Sequence, residues 1–417
     1  MKRALIVVGA LLLLAAGAAA AWVWKERNPA DVRGSATQEF ESTEAPGAST
    51  RPETQILEEP WPQYGFDPAR TRYAPDFKLR PLFRRLWDVR AGKLVEFPPA
   101  VAYGHLYFAT SDGRFFAVDT QDGKKTWERE LNHCTAASPA VSGKVVYQSL
   151  MYTLPCGVRK RQAPGYMVAM DAETGDVRWR FQAGVIETSP LLVDNRLYVG
   201  SWDTKVYALD AQTGRKLWTF KTGDEVKGGA AYAKGTIYIG SYDGNVYALD
   251  AETGKLRWRR GGQHRLGGSG NFYASPALAY GRVYIGSTDG KVYAFGQRSG
   301  QLLWSKTTGS YVYSSAAVYD DRVYVGSYDG HFYALDAATG DVRWSFKARG
   351  QISGSPTVID GIVYFSTLKG RTYGLDARTG KVVWTFPDGK YSPVVADEKH
   401  LYLTGYTRVY ALEPASK

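Results

Sequence analysis

Few residues in this 417-residue chain have the type and spacing to do covalent or metal chemistry. The two cysteines, Cys134 and Cys156, enclose a stretch of about 20 residues; oxidised, they would stabilise the fold by roughly 3 kcal/mol in the chain-entropy account, and reduced they would be two thiols. The five histidines make no His-Glu-x-x-His pair, no serine stands in a nucleophile elbow, and no glycine loop has phosphate-binding spacing. No catalytic residue and no metal ligand set is therefore assigned. Function has to be sought in binding groups, and those depend on the elements that carry them.

The elements follow from a repeat. Tryptophans recur at Trp87, Trp127, Trp179, Trp218, Trp258, Trp304, Trp344 and Trp384, with intervals of 40, 52, 39, 40, 46, 40 and 40 residues. Self-similarity at this period means one supersecondary unit that cannot bury its apolar face alone. A complete unit reads Lys216-Leu-Trp-Thr-Phe, Gly228-Gly-Ala-Ala-Tyr, Thr236-Ile-Tyr-Ile-Gly-Ser and Asn245-Val-Tyr-Ala-Leu-Asp. Each piece has the length and β-branched or aromatic content of a strand, and Ser241-Tyr-Asp-Gly and Asp250-Ala-Glu-Thr-Gly are hairpin turns. Four antiparallel strands make a blade, and blades arranged radially bury each other's faces. The predicted fold is an all-β, eight-bladed β-propeller of four-stranded antiparallel blades over residues 61–417. The last three strands occur eight times, while the Trp87 strand precedes any complete blade, so that strand is expected to close the ring beside the C-terminal three.

Ahead of the propeller, Lys2 and Arg3 precede an uncharged run from Ala4 to Trp24, long enough as a helix to reach about 30 Å. Residues 1–27 are expected to be a signal peptide or, with Trp22, Trp24 and Lys25 as an interfacial belt, an uncleaved transmembrane anchor. Either puts the rest of the chain outside the cytoplasm and away from nucleic acid. No cysteine follows the run, which closes the lipoprotein route. Residues 28–60 have the composition of a flexible linker. The remaining residues carry 46 Lys/Arg against 33 Asp/Glu, a basic surface that keeps the domain soluble or draws it to an anionic envelope polymer.

The segment Ala-x-Thr-Gly-x-x-x-Trp at Ala211 to Trp218, Ala251 to Trp258, Ala337 to Trp344 and Ala377 to Trp384 resembles the repeat of the pyrroloquinoline-quinone (PQQ) propeller family. The lead-in Trp61-Pro-Gln-Tyr-Gly-Phe-Asp-Pro-Ala-Arg-Thr-Arg-Tyr is also similar. That family includes quinoprotein dehydrogenases, the propeller lipoprotein of the barrel-assembly machinery and extracellular sensor domains, so the resemblance implies the fold and leaves the activity open.

The repeats disagree mainly on one face. Blade two lengthens its second-to-third loop from Ser149 to Gly165, and the connection into blade five lengthens from Gly261 to Phe272; both fall on the same side, where loops on a rigid scaffold carry recognition. The position before each inner strand, at Glu96, Ala136, Glu187, Lys227, Tyr273, Tyr313, Ser353 and Lys390, would ring the mouth of the central channel and offer polar groups to a ligand. Trp202, Tyr242, Tyr328 and Tyr406 stand in second-to-third loops as candidate anchors for a partner or as packing residues. Arg159, Lys160 and Arg161, on the long loop that Cys134 and Cys156 would hold, and His264 and Arg265 complete the candidate partner face.

The leading expectation is a non-catalytic, extracytoplasmic scaffold, monomeric and membrane-tethered, that binds an envelope protein or peptide without a cofactor. A PQQ- and calcium-dependent dehydrogenase and a small-ligand sensor are the alternatives. The family's alcohol-oxidising members often carry adjacent cysteines and long cofactor-covering insertions, and this chain has neither; Glu187 could be a calcium ligand by position.

Overall fold

The computed structural model describes residues 2–41, 59–157, 163–265, 270–391 and 394–415. After a helix at Lys2–Arg27 the described chain is strand and turn. Its strands form eight sheets, seven of four strands and one of five, the fifth being the short Tyr73–Ala74. This is the all-β propeller expected from the repeat. Among the described residues no helix is long and apolar enough to cross a membrane.

Blade four shows how the unit works. Its strands Ala231–Ala233, Thr236–Gly240, Asn245–Asp250 and Leu256–Gly261 pair in order, antiparallel. The second and third strands are buried almost throughout, because a blade is covered on both faces by its neighbours. At the hairpin between them Asp243 Oδ1 accepts the Asn245 N–H at 2.9 Å, and the Tyr247 hydroxyl donates to Asp243 Oδ2. The same tyrosine-to-aspartate bond joins Tyr207 to Asp203 at 2.6 Å and Tyr333 to Asp329 at 2.7 Å. The turn aspartate thus anchors the hairpin to the sheet as well as shaping the reversal.

The repeat tryptophan is more than an apolar plate. Its indole N–H donates to the first residue of the next blade's Ala-x-Thr-Gly turn: Trp179 to the Ala211 carbonyl at 3.1 Å, Trp218 to Ala251 at 3.0 Å, Trp304 to Ala337 at 3.0 Å. The glycine of that turn lies against the ring. At Gly214 and Gly254, both at φ +71°, a Cβ would come within 2.6 and 2.7 Å of the Trp179 and Trp218 rings. At these junctions one blade is pinned to the next by one hydrogen bond and one close glycine contact. The Trp87 strand, Phe83–Arg90, pairs antiparallel with Arg408–Pro414, with Trp87 opposite Ala411.

The lead-in segment has a job that its sequence did not announce. From Trp61 to Ala74 it crosses the end of the channel and bonds to the innermost strand of seven blades in turn. Trp61 bridges Val101. The Pro62, Pro68, Ala69, Thr71 and Arg72 carbonyls accept the N–H groups of Val141, Tyr232, Leu278, Val318 and Val358 at 2.7 to 2.9 Å, and Gln63 Oε1 accepts that of Leu192 at 3.1 Å. Inner strands are sheet edges, and the plug satisfies groups that would otherwise face an open bore. Buried Arg70 donates to the Ala230 and Pro190 carbonyls at 3.0 and 3.1 Å, and Arg72 to the Arg70 carbonyl at 2.8 Å. The guanidinium of Arg72 lies 4.5 Å from the centre of the Tyr64 ring.

Residues 28–41, expected as the start of a flexible linker, lie instead against blades four to six. Composition reports missing periodicity, and a segment without periodicity can still dock when buried donors on the fold need its carbonyls.

Candidate functional site

The second-to-third loops and the blade-to-blade connections surround the open end of the channel, opposite the plug. There Glu96, Glu187, Lys227, Tyr273, Tyr313 and Ser353 line one cavity of about 60 Å³, together with Phe97, Tyr391 and, at its floor, Tyr64. Because the plug closes the other end, this is a blind cup. Below the rim a belt of serines binds the inner strands to one another: Ser189 Oγ accepts the Ser138 N–H, Ser275 that of Gly229, Ser315 that of Ser275 and Ser355 that of Ser315, at 2.9 to 3.0 Å. The Tyr64 hydroxyl meets Ser355 Oγ at 2.8 Å.

Two of the ring assignments change. In the other seven blades the mouth position lies eleven residues before the central tyrosine; counted from Tyr402 it is Tyr391, which lines the cup, and Lys390 is one residue out of register. Lys390 lies over Tyr406 at 4.4 Å and Tyr391 at 5.5 Å, on the rim. Ala136 packs under the rim with Cys134, Met151, Tyr152, Val185 and Trp202.

The rim is charged and internally tied. Glu187 accepts the Trp202 indole N–H at 2.8 Å and the Tyr273 hydroxyl at 2.9 Å. Lys227 pairs with Glu225 at 3.2 Å and lies 4.0 Å from the Trp202 ring centre and 4.7 Å from that of Tyr242. Burial pushes the Glu187 carboxyl up, against the pull of Lys227, Tyr273 and Trp202. Glu96 is pushed up to about 7 by burial and then by Glu187, with Lys390 acting the other way. A ligand cation at the cup would therefore meet a carboxyl that changes charge near neutrality.

The candidate anchors divide. Trp202 is not an exposed anchor: it is 8% exposed and spent on Glu187, Lys227 and Tyr152. Tyr242 and Tyr328 are half-buried against the rings of Tyr273 and Tyr313. Tyr406 stands 48% exposed, and Tyr311, which the repeat alignment passed over, is 51% exposed. Its signal was available, since it lies two residues before Tyr313. His264 is exposed beside the half-buried Arg265. Arg159, Lys160 and Arg161 lie outside the described residues.

Cys134 and Cys156 form a disulfide with Cα atoms 5.6 Å apart. Around it Cys134 N donates to the Tyr152 carbonyl at 2.9 Å and Met151 N to the Cys134 carbonyl at 2.8 Å. The long loop of blade two is thus tied at its root to the rim of the cup.

A family model described as "Outer membrane protein assembly factor BamB" matches residues 84–152, 158–227 and 202–417. The BamB protein of Bordetella pertussis is 25% identical over 152 residues, 36% of each chain. A quinohemoprotein alcohol dehydrogenase of Comamonas testosteroni is 32% identical over 174 residues, 40% of this chain and 19% of the dehydrogenase. The chain thus spans about a third of the length of the BamB relative it matches. In three dimensions the crystal structure of BamB from Moraxella catarrhalis superposes with a TM-score of 0.66 at 18% identity, over 80% of this chain and 100% of that one; at this identity the likeness concerns the fold.

Proposed function

This chain belongs to the family described as outer membrane protein assembly factor BamB, and we propose that it is a non-catalytic, extracytoplasmic scaffold that engages a protein of outer-membrane assembly through its insertion face. One observation carries the reading: a stack of near-identical blades is sealed at one end, and its variable, charged and aromatic groups gather at the other. The exposed Tyr406 and Tyr311 and the half-buried Tyr242 and Tyr328 supply the contact surface, with His264 and Arg265 at its margin. The cup formed by Glu96, Glu187, Lys227, Tyr273, Tyr313 and Ser353 receives one side chain or chain end of the partner. The ring is closed by the Trp87 strand, which its pairing with Arg408–Pro414 supports. The helix Lys2–Arg27, with exposed Trp22 and Trp24 near its end, is the proposed attachment to the cytoplasmic membrane.

The alternative enzyme would hold PQQ and calcium at the cup. The donor set there fits calcium poorly. Both oxygens of Glu187 are engaged by Trp202 and Tyr273, and an ammonium group, Lys227, borders the same space; calcium takes six to eight oxygen ligands. Among the described residues no three His, Cys, Asp or Glu side chains converge as a metal site.

The test is photo-crosslinking in intact envelopes from Tyr406 and Tyr311, with Thr379 on the plugged side as control. A discrete adduct with an outer-membrane assembly protein from the first two sites and none from Thr379 is expected. Equal labelling from both faces, or cofactor-dependent dye reduction by the purified protein given PQQ and calcium, would overturn the reading.

A further inference from the structure

The groove between blades five and six differs from its seven counterparts at the positions that touch the N-terminal segment. In blade six the turn reads Ala337-Ala338-Thr339-Gly340-Asp341, whereas the residue equivalent to Ala338 is Gln121, Glu173, Gln212, Glu252, Arg298 or Arg378 in the other blades that carry this turn. The small side chain leaves room for Gly34, whose added Cβ would lie 2.4 Å from the Ala338 carbonyl oxygen and 2.9 Å from the Trp304 ring. Around that close approach the contacts are specific. Arg33 grips Asp341 with two N–H groups, at 2.7 and 3.1 Å, and Gly34 N donates to the Thr339 carbonyl at 3.0 Å. Val32 exchanges bonds with Ser305 at 2.9 and 3.0 Å. Asp31 accepts from Thr307, Lys306 and Lys291; burial raises its carboxyl, but these bonds outweigh burial and hold it at about 2.

The deepest contact is Arg282, fully buried, at a position occupied by His105, Val145, Arg196, Thr236, Arg322, Ile362 and Leu401 in the other blades. Its guanidinium donates to the Ser35, Gln38 and Glu39 carbonyls at 2.6 to 3.0 Å, and on the blade side to Ala337 and Ala338. Phe40 stacks against Tyr280 at 5.2 Å, and Glu41 pairs with Lys234 at 3.2 Å. A buried guanidinium stripped of three carbonyl acceptors is strongly unfavourable, so the groove selects a segment that presents them.

We propose that this groove is a peptide-docking site whose resident ligand is the chain's own segment 29–41, a strap that turns at residues 36–39 and carries a basic residue and a glycine ahead of that turn. The strap enters on the insertion face, where Lys291 holds the Pro29 carbonyl at 2.8 Å and Gln263 the Ala30 carbonyl at 2.9 Å, and leaves on the plugged face beside Tyr280. One residue, Asn28, separates Arg27, the end of the helix, from Pro29, two steps or at most about 7 Å of chain. The strap therefore fixes the helix end beside the insertion face rather than at the end of a long tether. With the membrane anchor proposed above, on which this last step rests, the partner face is turned toward the bilayer at short range.

The test uses the full chain in detergent, carrying Val32→Cys and Ser305→Cys, and as control Val32→Cys with Ser345→Cys, the equivalent position on blade six. The first pair is expected to form an intramolecular disulfide at least about tenfold faster than the control, and Arg33→Glu with Gly34→Val is expected to remove that preference. Crosslinks between copies, or equal rates for the two pairs, overturn docking in cis. Hydrogen exchange on the unaltered protein guards against a misfolded variant: the Val32, Gly34 and Glu41 amides are expected to be protected at least about 100-fold, and exchange at free-peptide rates overturns the proposal. Flotation with anionic vesicles separates the two readings, since crosslinking without flotation removes the anchor and leaves the strap standing.

Discussion

The two ends of the central channel are made of opposite chemistry. At the plugged end the backbone of residues 61–74 meets the inner strands of seven blades in turn, and the titratable acid and the two arginines of that segment, Asp67, Arg70 and Arg72, are buried and bonded to carbonyls and to Thr71. At the open end side chains face a cup lined by Glu96, Glu187 and Lys227, with Lys390 on its rim. Near-identical blades leave a bore lined by eight sheet edges, and sealing it at one end satisfies groups on seven of them. The other end is then free to vary. Stability should therefore be concentrated at the floor and recognition at the mouth.

The largest expected effect breaks the floor. Arg70→Ala leaves the Ala230 and Pro190 carbonyls unpaired in a void, and should lower unfolding free energy by about 4 kcal/mol in urea titrations. A loss comparable to that of a surface change would mean that the plug is decoration. Next, Cys134→Ser with Cys156→Ser is expected to cost about 3 kcal/mol and, in envelopes, to abolish crosslinking from the blade-two loop while sparing Tyr406.

A smaller effect sharpens the electrostatics of the mouth. Glu96 has a folded pKa of about 7, above its unfolded value, so its contribution to stability is full below the unfolded pKa and is lost as pH rises through about 7. Glu96→Gln should therefore gain stability relative to the parent between pH 5 and pH 8, measured as the difference in Tm at the two values. A constant difference would place Glu96 in water. Smallest of all, Tyr406→Ala should change stability by less than about 0.5 kcal/mol while reducing partner capture, because its ring is half exposed and its backbone N–H, not its hydroxyl, bonds to Asp388.

Some of this was legible because it repeats. The tryptophan ladder, the Asp-Gly turns and the Ala-x-Thr-Gly turns each recur, so the blade and its strand order could be read from any copy. The mouth ring was legible for the same reason, one fixed distance from each central tyrosine, and in the eighth blade that distance leads to Tyr391 rather than Lys390. Trp202 was misread because a turn position tells which face a residue stands on and not whether a neighbouring lysine and glutamate enclose it.

The sequence by itself determined the blade, its copy number and the face on which the copies diverge, because those follow from local periodicity and turn chemistry. Only the tertiary structure decided that Trp61 to Ala74 seals the channel, that residues 29–41 lie in a groove and that the cup is blind. These segments have no period, and what holds them is the set of backbone donors and buried arginines that the folded blades expose. A chain written as a list carries no record of which carbonyls a distant arginine needs.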